Sequence, residues 1–206
     1  ADFSSTAWPW AEIDSIAGSA VFGSSAAIGA SVTTAVVGKT TEAYVGKNAT
    51  VRADGTRDDM SVATGRFTST LADNAADEYG VDASDTEHLD MTTPLAAETV
   101  AQNTKTMKGL AVTAVSKDDV SSIAASGGAS GTVAINLSGA VNVIGNNTSA
   151  YIAEGAKINQ DHTSAGDDQS VFVAAGNDFR HLGIAAAASL SLGGGFGPAA
   201  EVTVLD

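Results

Sequence analysis

The chain has 206 residues, enough to bury a core, but it is rich in glycine and other small side chains, and only 5% of it is aromatic. Twenty-four acids against ten lysines and arginines give a net charge of −14, which removes the electrostatic footing of nucleic-acid binding. There is no cysteine, hence no disulfide framework, thiolate nucleophile or cysteine metal site, and no run of eighteen apolar residues that would span a membrane.

The opening "ADFSSTAWPW" lacks the charged-then-apolar layout of a signal peptide, so it reads as a chain whose signal is gone or as an excerpt of a longer one. Trp8 and Trp10 are its largest apolar groups. They suit either a cap on an open sheet end or a contact with a neighbour. From residue 13 the chain enters a stretch that it later repeats. Residues 13–51 lie over 120–158 without a gap, 107 positions apart, with 13 of 39 positions identical. "VVGKTTEAYVGKNATV" (36–51) and "VIGNNTSAYIAEGAKI" (143–158) share Val/Ile spacing, a Gly, a Thr, Ala-Tyr and a second Ala. They differ at every charge: Lys39 against Asn146, Glu42 against Ser149, Lys47 against Glu154. A chain that repeats its shape and lets its charges drift reads as a scaffold.

Short strands are expected at "EAYV" (42–45) and "MSVA" (60–63), punctuated by Gly, Asn and Asp. The segment 66–108 then changes character. It carries eight acids, and Thr93-Pro94, followed by "LAAETVAQNTKTM" and Gly109, predicts a short helix with a cap, a first-turn Pro and a Gly stop. Of its acids, Asp82, Asp85, Glu87 and Asp90 are the candidates for binding a ligand, because loops on a rigid scaffold are where function concentrates; a spacer or coil cap is the equal alternative.

Beyond the insertion, strands are expected at "AVTAV" (111–115), "SAYI" (149–152), "SVFVA" (170–174), "GIAAAASLSL" (183–192) and "EVTVL" (201–205). In "TVAINLSGAVNVIG" the Val, Ile and Leu residues alternate with Ala, Asn and Ser, the period of a half-buried strand. A third, partial copy follows: "AGNDFRHLG" (175–183) answers "SKDDVSSIA" (116–124), and "VTVL" (202–205) answers "VNVI" (141–144) 61 positions on. The unit is therefore about 60 residues. Short strands repeated at fixed length predict an all-β chain, a parallel β-solenoid (β-helix) whose narrow interior stacks Val, Ile and Ala, with coils of about 20–30 residues and so two or three turns per unit. A β-sandwich competes but does not predict the self-similarity. The chain divides into 1–65, coils of the first repeat; 66–108, the acidic insertion with its short helix; and 109–206, coils of the second and partial third repeats.

The strings "GKTTEAYVGKNATVRADG" and "GNNTSAYIAEGAKINQD", each after a Gly/Ala/Ser-rich apolar run, resemble the repeats of large secreted bacterial filamentous-haemagglutinin-like and leukotoxin-type adhesins. The resemblance covers nearly all of the chain outside the insertion. It implies an extracellular, right-handed β-helical stalk on a bacterial surface, serving attachment or biofilm scaffolding rather than chemistry. The partners expected are flanking coils or, in the alternative of a self-assembling extracellular filament subunit, identical subunits end to end, and a host or matrix surface, glycans among them.

Candidate chemistry is sparse. The pairs Asp58-Asp59 and Asp167-Asp168 precede equivalent strands and are the place where Ca2+ would sit between turns; solvated turn acids are the plainer reading. No catalytic residue is assigned and no other cofactor is expected. A polysaccharide hydrolase or lyase is the enzymatic alternative, with Asp118, Asp119 and Asp178 the acids to inspect. His88, His162 and His181 are scattered without metal-ligand spacing.

Overall fold

The computed structural model describes residues 3–7, 9–71, 98–161 and 163–206. They form eleven strands, with no helix among the described residues. The strands are β1 (Phe3–Ala7), β2 (Trp10–Gly23), β3 (Ala26–Val45), β4 (Thr50–Val51), β5 (Met60–Leu71), β6 (Glu98–Ser130), β7 (Val133–Ile152), β8 (Lys157–Ile158), β9 (Gln169–Ser191), β10 (Gly194–Phe196) and β11 (Ala199–Leu205). Several are far longer than the four to six residues expected: β3 and β7 have 20 each and β6 has 33.

Parallel pairing follows the sequence repeat. Phe3 to Ala7 lie opposite Leu110 to Ala114, and Thr50-Val51 opposite Lys157-Ile158, each partner 107 positions on. Gly194–Phe196 and Ala199–Leu205 pair with β7 at the second spacing, Val202 facing Val141, 61 positions back. One repeat thus separates hydrogen-bonded neighbours. The expected division of a 60-residue unit into two or three turns is replaced by one long path per repeat, which is why the strands are long.

The chain folds into two compact units, made of residues 1–9, 41–117 and 148–178, and of residues 10–40, 118–147 and 179–206. Both are assembled from all the repeats, so they cut across the sequential division 1–65, 66–108 and 109–206.

The first unit has an apolar interior. Ala43, Val45, Ala53, Leu110, Val112 and Ala114 are buried together, flanked by Val51, Ile152 and Ile158. Its turns repeat as well. Asn48 (φ 57°) and Gly155 (φ 74°) occupy equivalent positions in the left-handed region, which Asn and Gly tolerate. Asn159 clamps the neighbouring copy, donating from Nδ2 to the Ala53 carbonyl at 3.2 Å and accepting from its N–H at 2.6 Å.

Residues 98–107 are the first part of β6, not the helix predicted for this stretch; residues 72–97 lie outside the described residues. β5 and β6 pair antiparallel, Met60 to Ala63 against Met107 to Thr104 and, past an irregularity, Phe67 to Leu71 against Gln102 to Glu98. The β-branched residues of "ETVAQNTKTM" suit a strand, and the cross-strand partners outweigh the Pro and Gly signals. Thr64 and Thr68 both donate to Asn103, at 3.0 Å to its carbonyl and 2.8 Å to its side chain. Gly109 is not a helix stop. It holds φ 107° where β6 leaves the hairpin and joins the parallel ladder, and a Cβ there would fall 2.2 Å from the Ser170 carbonyl oxygen.

In the second unit the alternation runs opposite to expectation. Ala134, Asn136 and Ser138 are buried, whereas Val133, Ile135 and Leu137 are exposed. β3 does the same: Ala27, Ser31, Thr33 and Ala35 face inward and Ile28, Val32 and Val36 outward. Two sheets meet here through small and polar side chains. Ser31 Oγ donates to the Ala17 carbonyl at 2.9 Å, and Asn136 Nδ2 donates to the Ala188 carbonyl at 3.0 Å. A Cβ on Gly29 would stand 2.5 Å from Asn136 Oδ1, so the glycine makes the room that the asparagine fills. Only small side chains allow this close inner face, and the large ones are left on the other side of the pleat.

Gly109→Ala is expected to lower unfolding free energy by about 3 kcal/mol, because the new methyl meets backbone in a left-handed conformation. Gly38→Ala, whose Cβ would meet nothing within 4 Å, is expected to change it by less than about 1 kcal/mol. Urea denaturation followed by circular dichroism checks both.

Candidate functional site

The densest chemistry among the described residues is a seam of acids, amides and one histidine in the second unit. β6 supplies Asp118, Asp119 and Ser122; β3 supplies Lys39; β7 supplies Asn142 and Asn146; β9 supplies Arg180 and His181; and β11 supplies Glu201 and Thr203.

Asp118 is 2% exposed, and one carboxylate oxygen binds the Lys39 ammonium while the other accepts from Asn146 Nδ2. Lys39 and Asn146 are the repeat-equivalent positions whose charges differ. Both close on one buried carboxylate, so the difference is complementary: a second lysine would crowd two like charges onto it, and a second asparagine would withdraw the lysine's charge from it. Next to it, Arg180 grips Asp119 with both ends of its fork, Nε to Oδ1 at 2.7 Å and Nη2 to Oδ2 at 2.6 Å. These two are 61 positions apart, the second repeat spacing.

Deeper in, Ser122 Oγ donates to Asn142 Oδ1 at 2.6 Å. Asn142 Nδ2 lies 3.0 Å from His181 Nε2 and 3.4 Å from both Glu201 Oε1 and Thr203 Oγ1. His181 stands 3.4 Å from Glu201 and stacks on Phe179 with 5° between the rings. The serine meets the amide and not the imidazole, so no nucleophile–base pair is formed. The arrangement fixes strands against each other.

Of the acids expected to matter for hydrolysis, Asp118 is sealed from solvent and Asp119 is held by Arg180, while Asp178 belongs to the other unit. Of the calcium candidates, all exposed, Asp59 and Asp168 are brought to the same cation: Lys108 Nζ lies 3.7 Å from one and 3.9 Å from the other. No three acidic or histidine side chains converge as a metal group among the described residues, Asp58 and Asp167 included. Asp82, Asp85, Glu87, Asp90, His88, His162 and Trp8 lie outside the described residues; Trp10 is exposed.

Sequence reasoning missed a second cluster, in the first unit. Arg52 holds Asp54 at 2.8 Å and Asp161 at 3.2 Å and donates to Ser164. The signal was available: Asp161 follows Asp54 by 107 positions.

No family model, no curated protein and no solved structure matches this chain.

Lys39→Met is expected to cost about 3 kcal/mol, since it removes a charge partner of a buried carboxylate, and Lys39→Met combined with Asp118→Asn to recover most of that loss. A double-mutant cycle by chemical denaturation reads the coupling.

Proposed function

We propose that the chain is a section of a parallel, right-handed β-solenoid in which one repeat makes one rung, and that it serves as a structural and adhesive module of a large secreted bacterial surface protein. The observation that carries this reading is the identity of two independent spacings. The sequence repeats at 107 and 61, and the parallel ladders pair residues at 107 and 61. A chain built this way gains stiffness from continuous backbone hydrogen bonding and extends by adding rungs, which suits a stalk. The repeat text that resembles filamentous adhesins supports the extracellular setting, with flanking coils or identical subunits as end-to-end neighbours and a host or matrix surface, glycans included, as the target.

The chemistry of the second unit supports the same reading. Asp118, Asp119 and Glu201 are taken up in strand-to-strand contacts, which is what a scaffold asks of them. Weak Ca2+ binding at Asp58, Asp59, Asp167 and Asp168 belongs to this proposal as reinforcement of a rung edge, in competition with Lys108. The segment presented to the target is the acidic insertion, carried on the β5–β6 hairpin.

Replacing residues 72–97 by a two-residue Asn-Gly turn closes that hairpin with a loop its strands favour. The expected result is a melting temperature within about 5 °C of the parent and loss of attachment to matrix- or glycan-coated surfaces. Attachment that survives the replacement would move the binding site off the insertion. Cleavage of acidic polysaccharides that disappears on Asp118→Asn or Asp178→Asn would replace the scaffold reading by an enzymatic one.

A further inference from the structure

The outward face of the sheet formed by β3, β7, β10 and β11 in the second unit carries large apolar side chains in register. Ile28, Ile135 and Phe196 form one column across the strands, and Val36, Val143 and Val204 another. All six are exposed, Val36 at 74% and Ile28 at 71%. Between these columns the outward positions of β3 from 26 to 36 hold only Ala, Ile, Val and Thr, and those of β7 from 133 to 143 only Val, Ile, Leu and Gly. The surrounding sequence is equally uncharged. In a chain of net charge −14, no Asp, Glu, Lys, Arg or His occurs in 15–38, 120–153 or 182–200, of which 26–38, 133–152 and 194–200 run through this sheet and the rest mainly through β2, β6 and β9 of the other. An acidic protein that keeps three separate runs free of charge and aligns their largest side chains outward has a surface made to be covered.

We infer that this face is covered by the same face of a second copy of the chain, two sheets packing across a two-fold axis. The area fits. The patch extends about 35 Å along the strands and about 14 Å across three rungs, close, once side-chain relief is included, to the roughly 800 Å2 per partner of a standard interface. The shape fits as well. Columns of Ile and Val on one copy meet columns with the same strand spacing on the other, so ridges interleave, and a two-fold axis makes one patch its own complement. Lipid is the other occupant that the test distinguishes. The pairing is lateral and does not depend on the adhesive reading.

Sedimentation velocity of the 206-residue chain over a concentration series tests this. The parent is expected to dimerise, Ile135→Glu/Val143→Glu to raise the dissociation constant at least about 100-fold, and Ile16→Glu, exposed on β2 in the other sheet, to leave it unchanged. Because the chain has no cysteine, Val141→Cys and Ile16→Cys give a second readout that leaves the patch almost intact. Val141→Cys should cross-link between copies through a short bismaleimide and Ile16→Cys should not. A parent that stays monomeric, a dimer indifferent to the glutamates, or cross-linking only through residue 16 would overturn the inference. So would a monomer that floats with phosphatidylcholine vesicles and loses that flotation in the Ile135→Glu/Val143→Glu variant, which would give the face to lipid.

Discussion

Everything in this molecule depends on parallel strands whose hydrogen-bonded neighbours are each other's counterparts in the repeat. Register and repeat length are the same quantity, so a side chain is stacked on the residue at the same position of the neighbouring repeat. Tyr44 lies on Tyr151 with ring centroids 5.3 Å apart, and Lys47 reaches Glu154 at 3.0 Å. The exposed ion pair adds little stability. Its meaning is in the pairing rule, because like charges stacked at that spacing would repel.

That rule explains why the copies diverge in charge while keeping their shape. Where two copies of a position sit one above the other, identity is favourable for Tyr, Val or Ile and unfavourable for Lys or Glu. Lys39 and Asn146 share the buried Asp118, and Arg180 sits on Asp119. In the second unit this polarity extends inward, with Asn136 and Asn142 fully buried between close-packed sheets. The amide N–H groups of Asn136 and Asn142 reach specific acceptors on facing strands, and losing them would penalise a slipped register more sharply than an apolar ladder would. As a hypothesis for this chain, the seam trades stability for uniqueness of pairing, and an all-valine interior that kept the same register and cooperativity would count against it.

The sequence made much of this readable. The spacings of 107 and 61 and the all-β character were legible from identities such as Ala43-Tyr44 against Ala150-Tyr151, whereas the strands themselves run well past the short segments expected. Three things were not. The helix predicted near 95–107 rested on local signals from Pro94 and Gly109, and strand pairing with β5, a non-local contact, decided the state of residues 98–107. The inner and outer faces of "TVAINLSGAVNVIG" could not be told apart by period alone, since alternation defines two faces without saying which is buried; the small residues were inside because the sheets approach closely. The seam was not assembled from the sequence because its members lie on five different strands, and Arg180 on Asp119 falls at a repeat spacing whereas Asp118 meets Lys39 79 positions away and Asn146 28 positions away.

The β5–β6 hairpin has a mechanical consequence of its own. It leaves the ladder near Met60 and rejoins it at Gly109, and because its arms are antiparallel they return the chain to its starting point whatever their length. Adding two residues to each arm would lengthen the antiparallel pair by about 6.6 Å while Met60 keeps Met107 as its partner. Reach and rigidity are therefore set by separate stretches of sequence. A change in length between Leu71 and Glu98 leaves the parallel registers on either side of the hairpin as they are.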